Sequence, residues 1–147
     1  MKCDNKSIGR WVSMLYRYQQ CYIGKQLKEY NIGGGQYSFL LALFKKDGIS
    51  QEEISKILYM DKGTTARAIA KLEKEGYVVR KQDEEDKRAY KIYLTEKALE
   101  FKPKLFKILR RWTDIISTDF DVEEKEVVMN LLEKMAENAA LHIKETN

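Results

Sequence analysis

The chain has 147 residues, with 27 Lys and Arg against 23 Asp and Glu, 44% hydrophobic residues and one proline, the profile of a single folded domain spanning 1–147. Its 34% charged residues leave no stretch long enough to cross a bilayer, and Met1-Lys2-Cys3-Asp4-Asn5-Lys6-Ser7 lacks the apolar segment of a secretory signal, so a cytoplasmic protein without membrane association is expected. Only Cys3 and Cys21 are present, too few for a disulfide framework or a four-cysteine zinc site within one chain, and His142 is the lone histidine.

The net charge of +4 is unevenly spread, because residues 119–147 hold eight acids against three bases, a net of −5 that leaves +9 on residues 1–118. A basic body with an acidic terminal segment points to a polyanionic partner for the body, since summed Lys and Arg fields attract phosphate at long range.

Six helices and one hairpin are predicted. From Ile8 to Tyr30, Trp11, Val12, Leu15, Tyr22, Ile23 and Leu27 recur near a helical period, and Gly33-Gly34-Gly35 is expected to end that segment. Gln36 to Lys46 carries Tyr37, Phe39, Leu40, Leu41, Leu43 and Phe44 on almost every side, as a helix surrounded by protein does. Ser50-Gln51-Glu52-Glu53 has the form of a capping box, with Glu53 reaching back to Ser50, and starts a short helix through Leu58. Asp61 is a good N-cap for a helix from Lys62 to about Glu75, closed by Gly76. These two helices make a helix-turn-helix candidate. Tyr77–Lys81 and Tyr90–Leu94 read as strands flanking a polar loop from Gln82 to Ala89. Thr95 caps a helix carrying Ala98 to Ile116, bent near Pro103, and Asp121 with Glu124 starts the last helix, which runs through Ile143.

On the helix from Lys62 to Glu75, helical spacing places Thr65, Ala68, Ile69 and Leu72 on a core face. Gly63, Thr64, Ala66, Arg67, Ala70, Lys71 and Lys74 fall on the opposite face. That second face suits a major groove: the small residues allow approach while Arg67 and Lys71 reach bases or phosphates, although a solvated helix face would look the same. In the hairpin loop, Asp83-Glu84-Glu85-Asp86 precedes Lys87-Arg88. Four consecutive acids cannot converge on one metal ion without sharp turns, and no glycine is there to supply them. The alternatives are a solvated loop, or an Arg88 that enters a minor groove while Asp86 holds its guanidinium in position.

The order helix, helix, short helix, recognition-type helix, two-stranded wing and long terminal helices resembles the MarR family of winged helix-turn-helix transcription regulators. The family's Asp-x-Arg wing followed by Leu-Thr is matched by Asp86-Lys87-Arg88 and Leu94-Thr95, and Leu72-Glu73-Lys74-Glu75-Gly76-Tyr77-Val78-Val79-Arg80 looks like its passage from recognition helix to wing. The resemblance covers essentially the whole chain. It implies a mainly α fold with a small β-hairpin wing, with residues 36–95 binding DNA and residues 8–30 and 96–145 forming a homodimer. Lys62, Thr64, Arg67 and Lys71 would contact an operator's major groove, and Asp86, Lys87 and Arg88 a minor groove. A repressor released by a small aromatic or phenolic effector is implied. Trp11, Tyr16, Tyr37, Phe39 and Phe44 are pocket candidates or ordinary core, and Arg17 either pairs with an effector carboxylate or lies exposed. Unlike family members that sense peroxide through a cysteine near the start of the first helix, this chain has Cys21 late in that helix and Cys3 in a tail, so no redox switch is expected. No Ser-His-Asp set, Gly-x-Gly-x-x-Gly or phosphate-cradling Lys-Ser/Thr loop suggests an enzyme. The competing reading is a winged-helix module that uses the same faces to bind protein.

Overall fold

In the computed structural model, which describes residues 6–146, the Ser7 hydroxyl accepts from the Arg10 N–H and opens α1 (Ile8–Leu27). The α-helix gives way to a 3-10 turn at Lys28–Tyr30, and Asn31 at φ 58° ends it. The stop therefore lies at Asn31, ahead of the expected glycine run, because asparagine tolerates the left-handed conformation that closes a helix. α2 (Tyr37–Lys45) follows, then α3 (Gln51–Leu58), α4 (Lys62–Lys74), β1 (Val78–Gln82), β2 (Tyr90–Leu94), α5 (Glu96–Ile116) and α6 (Val122–Thr146).

The described residues divide into two compact units, one reaching Trp112 and one beginning at Thr113. In the first, α2 supplies the centre of the core, with Phe39, Leu40 and Leu43 fully buried. Ile23 and Leu27 from α1, Ile54 from α3, Ile69 and Leu72 from α4, and Phe101 and Leu105 from α5 complete the same cluster. Burying each such side chain stabilises the fold by about 1.5–3 kcal/mol relative to leaving it in water. The strands pair antiparallel with Val78 opposite Leu94 and Gln82 opposite Tyr90, one residue later on the first strand than expected. Tyr77 is drawn into the core instead, donating its hydroxyl to the Tyr30 carbonyl at 2.7 Å. An isolated bridge from Ile49 to Ile92 ties the segment before α3 to the hairpin.

Caps set the remaining boundaries. Ser50 accepts from the Glu53 N–H, but Glu53 faces Lys46 at 3.8 Å, so only half of the expected box forms. Gly76 at φ 82° ends α4, with the Tyr77 N–H donating to the Leu72 carbonyl at 2.9 Å. The Thr95 hydroxyl accepts from the Ala98 N–H and starts α5, which is continuous through Pro103. In the second unit, Asp121 and Glu124 form the full reciprocal box: the Asp121 N–H donates to Glu124 Oε1 at 3.2 Å and the Glu124 N–H to Asp121 Oδ1 at 2.7 Å. Lys125 Nζ lies 3.6 Å from Asp114 Oδ1. None of the described side chains of α6 is buried in the single chain. Among the described residues, no helix is long and apolar enough to cross a membrane.

Candidate nucleic-acid interface

The helix-turn-helix is held by a polar clasp inside the core. Ser55 Oγ of α3 lies 2.9 Å from Thr65 Oγ1 of α4, and Thr65 in turn donates to the Asp61 carbonyl at 3.0 Å. Both side chains are buried, so an unpaired hydroxyl at either position would be costly, and the pairing fixes where α4 crosses α3. The core face of α4, Thr65, Ala68, Ile69 and Leu72, is buried as its spacing predicts. Its opposite face turns outward, with Lys62, Gly63, Arg67, Ala70 and Lys71 exposed and Thr64 and Ala66 half-buried.

At the start of that face three side chains form one network. Asp61 Oδ1 accepts from the Thr64 N–H at 2.7 Å, and Asp61 Oδ2 accepts from the Thr64 hydroxyl at 2.7 Å. Arg67 Nη2 donates to Thr64 Oγ1 at 3.3 Å. The Thr64 backbone and hydroxyl donors, with a smaller contribution from the Arg67 charge, hold the Asp61 carboxyl below its ordinary range. Gly63 leaves room for this arrangement: a Cβ there would lie 3.2 Å from Arg67 Nη1 and 3.3 Å from Asp61 Oδ1. One turn on, Lys71 is 3.5 Å from Glu75.

The wing is organised by its acids, though not as expected. Asp86 Oδ1 accepts from the main-chain N–H of Arg88 at 3.0 Å, rather than from its guanidinium. Asp83 Oδ1 accepts from the Glu85 N–H at 3.1 Å, and its Oδ2 lies 3.7 Å from Lys91 Nζ. A short loop of this kind satisfies its main-chain donors with Asp side chains, which explains Asp83 and Asp86 among the bases at the tip. Gln82 donates its amide to the Lys87 carbonyl, and Asp83 N–H donates to the Ala89 carbonyl at 2.9 Å. Lys87 and Arg88 are left exposed. At the base of the wing, Arg80 Nη2 donates to Gln51 Oε1 at 2.6 Å and its guanidinium lies over the Tyr90 ring. That bond connects β1 to the first turn of α3, and residues 29 apart in sequence gave no local signal of it.

The six residues expected to surround an effector differ in exposure in the single chain, and two of them, Tyr16 and Tyr37, lie close enough to interact electrostatically. Phe39 is fully buried core, and Phe44 packs near Phe106 at a ring separation of 6.3 Å. The Tyr37 hydroxyl accepts from the Gln19 amide at 2.8 Å, and burial pushes its pKa up. Trp11 and Tyr16 are exposed on α1, and Arg17 donates to Ser13 Oγ at 2.7 Å. A groove of about 320 Å³ between α5 and the end of the first helical segment is lined by Tyr22, Gln26, Glu29, Tyr30, Lys104, Lys107, Ile108 and Arg111. Cys21 is exposed, and Cys3 lies outside the described residues. Among the described residues, no group of three or more His, Cys, Asp or Glu side chains is placed to hold a metal ion.

Comparison with known proteins agrees with this architecture. Residues 34–90 match the MarR family. A MarR transcriptional regulator from Methanosarcina mazei Go1 is 48% identical, covers 94% of this chain and 92% of its own, and superposes with a TM-score of 0.88. A MarR-family regulator from Listeria monocytogenes, solved in complex with a 26mer DNA, is 29% identical over 97% of each chain with a TM-score of 0.86. The HTH-type transcriptional regulator YybA of Bacillus subtilis (strain 168) is 31% identical over 88% of this chain and 86% of that protein. These relatives are named as regulators of transcription, and the chain belongs to the MarR family of transcriptional regulators, with that family's DNA-binding winged-helix fold.

Proposed function

We propose that this protein is a homodimeric, sequence-specific repressor that sets α4 into the major groove of a double-stranded operator and its wing into the adjacent minor groove. In this reading residues 36–95 form the DNA-binding part and residues 8–30 and 96–145 the dimerisation helices. Lys62, Thr64 and Arg67 face base edges, Lys71 faces the phosphate backbone, and Asp86, Lys87 and Arg88 act at the wing. The observation that carries it is the outward face of α4, where small residues sit beside cations on a helix whose other face is locked into the core. The DNA complex of the Listeria relative supports it by likeness of fold.

Dimerisation is supported by apolar surface that the single chain leaves in water: Ile8, Trp11, Val12 and Leu15 on α1, and Val122, Val127, Leu131 and Leu141 on α6. A small aromatic or phenolic effector acts as the releasing signal in this reading, and the groove between α1 and α5 supports it by offering two tyrosine rings beside three cations and one acid, Glu29. A repressor of this kind works in the cytoplasm, where its DNA is.

The test combines sedimentation with a binding titration. The expected result is twice the chain mass at micromolar concentration, together with tight binding to a duplex selected from a random pool. A folded monomer, or equal affinity for every duplex, contradicts the proposal.

A further inference from the structure

The direction of each hydrogen bond at the start of α4 limits what Thr64 can read. A carboxylate carries no proton, so the 2.7 Å contact between Thr64 Oγ1 and Asp61 Oδ2 must use the threonine's only hydroxyl hydrogen. A second contact pins the same carboxylate, since Oδ1 accepts from the Thr64 N–H at 2.7 Å, and the side chain cannot turn away without uncapping the helix. What remains on Thr64 Oγ1 is lone pairs, one of which faces Arg67 Nη2 at 3.3 Å in the free protein.

We infer that Thr64 presents only an acceptor to the groove and is a specificity-determining residue for bases bearing an exocyclic amino group, cytosine through N4 or adenine through N6. The inference rests on the proposed placement of α4 in the major groove. An acceptor cannot donate to a phosphate oxygen, to guanine O6 or to thymine O4, so this hydroxyl is excluded as a backbone anchor. Arg67 is the complementary half. When its guanidinium leaves Thr64 for the DNA it carries donors to guanine O6 and N7, and it uncovers the threonine lone pair for the neighbouring amino group. Gly63 leaves room for the Arg67 guanidinium beside Thr64, because a Cβ there would lie 3.2 Å from Arg67 Nη1. Asp61 is thus a positioning residue that acts through Thr64.

Selection of duplexes from a random pool by the full-length wild type, Thr64→Val and Asp61→Asn tests this. Asparagine caps helices about as well as aspartate, and valine has the shape of threonine, so all three proteins fold. Wild type is expected to enrich cytosine or adenine at one position of each half-site. Thr64→Val should lose about two- to tenfold of the discrimination at that position alone, the worth of one hydrogen bond. In Asp61→Asn, the carboxamide oxygen can take the Thr64 N–H while its NH2 donates to Oγ1, which turns the threonine hydrogen outward. The preferred base at the same position should then change to guanine or thymine. The inference is overturned if Thr64→Val leaves every position of the selected site unchanged, or if Asp61→Asn keeps the wild-type base at the position that Thr64→Val relaxes. A wild type that enriches no sequence at all would instead remove the proposed function, and this inference with it.

Discussion

The start of α4 and the tip of the wing hold the two groups of cations that the proposed function sets against DNA, and they are built in opposite ways. At α4 the side chains are bonded to one another: Asp61 holds Thr64, Arg67 leans on Thr64, and the helix beneath is fixed by buried Thr65, Ala68, Ile69 and Leu72. At the wing Asp83 and Asp86 satisfy main-chain donors, and the side chains of Lys87 and Arg88 are exposed. A pre-bonded network on a rigid helix favours discrimination, because a wrong base leaves polar groups unpaired. A loop with fixed backbone and exposed cations favours adaptable attraction to a groove's potential.

The sharpest way to break the comparison is to remove what supports α4. Ile69→Ala deletes a fully buried side chain and should destabilise the protein by about 2–5 kcal/mol in chemical denaturation, while Arg88→Ala at the exposed tip should change stability by only about half a kcal/mol. Binding separates the regions next. Arg67→Ala should cost about 1–3 kcal/mol on the selected duplex and much less on random duplex, whereas Arg88→Ala should weaken both. Equal losses of Arg67→Ala on the two duplexes would make Arg67 a backbone contact and erase the distinction.

Asp86→Ala sharpens the account of the wing. It removes a negative charge near DNA, which by Coulomb attraction alone should tighten binding, yet it also removes the acceptor for the Arg88 N–H. Weaker binding in a fluorescence titration is expected, and tighter binding at every salt concentration would reduce the tip to a charged loop. The smallest effect concerns pH. Because bonded Asp61 is held below the ordinary aspartate value of 3.8, its contribution is complete above that value and is lost only as pH falls through the lower, folded one. An NMR titration of the Thr64 amide should therefore show a midpoint below 3.8.

Much of this was legible in the sequence because it is local. Ser50, Asp61, Thr95 and the pair Asp121 and Glu124 announce helix starts within three residues of the groups they cap. The core face of α4 follows from helical spacing alone. What escaped depends on how elements cross. The Ser55 to Thr65 clasp and the Gln51 to Arg80 bond join side chains that no periodicity links. Asp86 was legible as a residue with a specific task at the wing, but which atom of Arg88 it holds depends on the turn geometry. The aromatics of α1 and α2 carry the same helical spacing whether they face a core, a pocket or a partner, so sequence alone does not sort exposed Trp11 and Tyr16 from buried Tyr37 and Phe39.

Salt dependence of binding to the selected duplex and to a scrambled duplex of equal length tests the central claim most directly. Phosphate contacts release counterions, so log affinity should fall with log salt by about 0.9 for each contact on both duplexes. The gap between them, carried by base contacts at α4, should persist as salt rises. A flat salt response, or two lines that coincide throughout, would contradict a protein that reads base edges with α4 while gripping the DNA backbone.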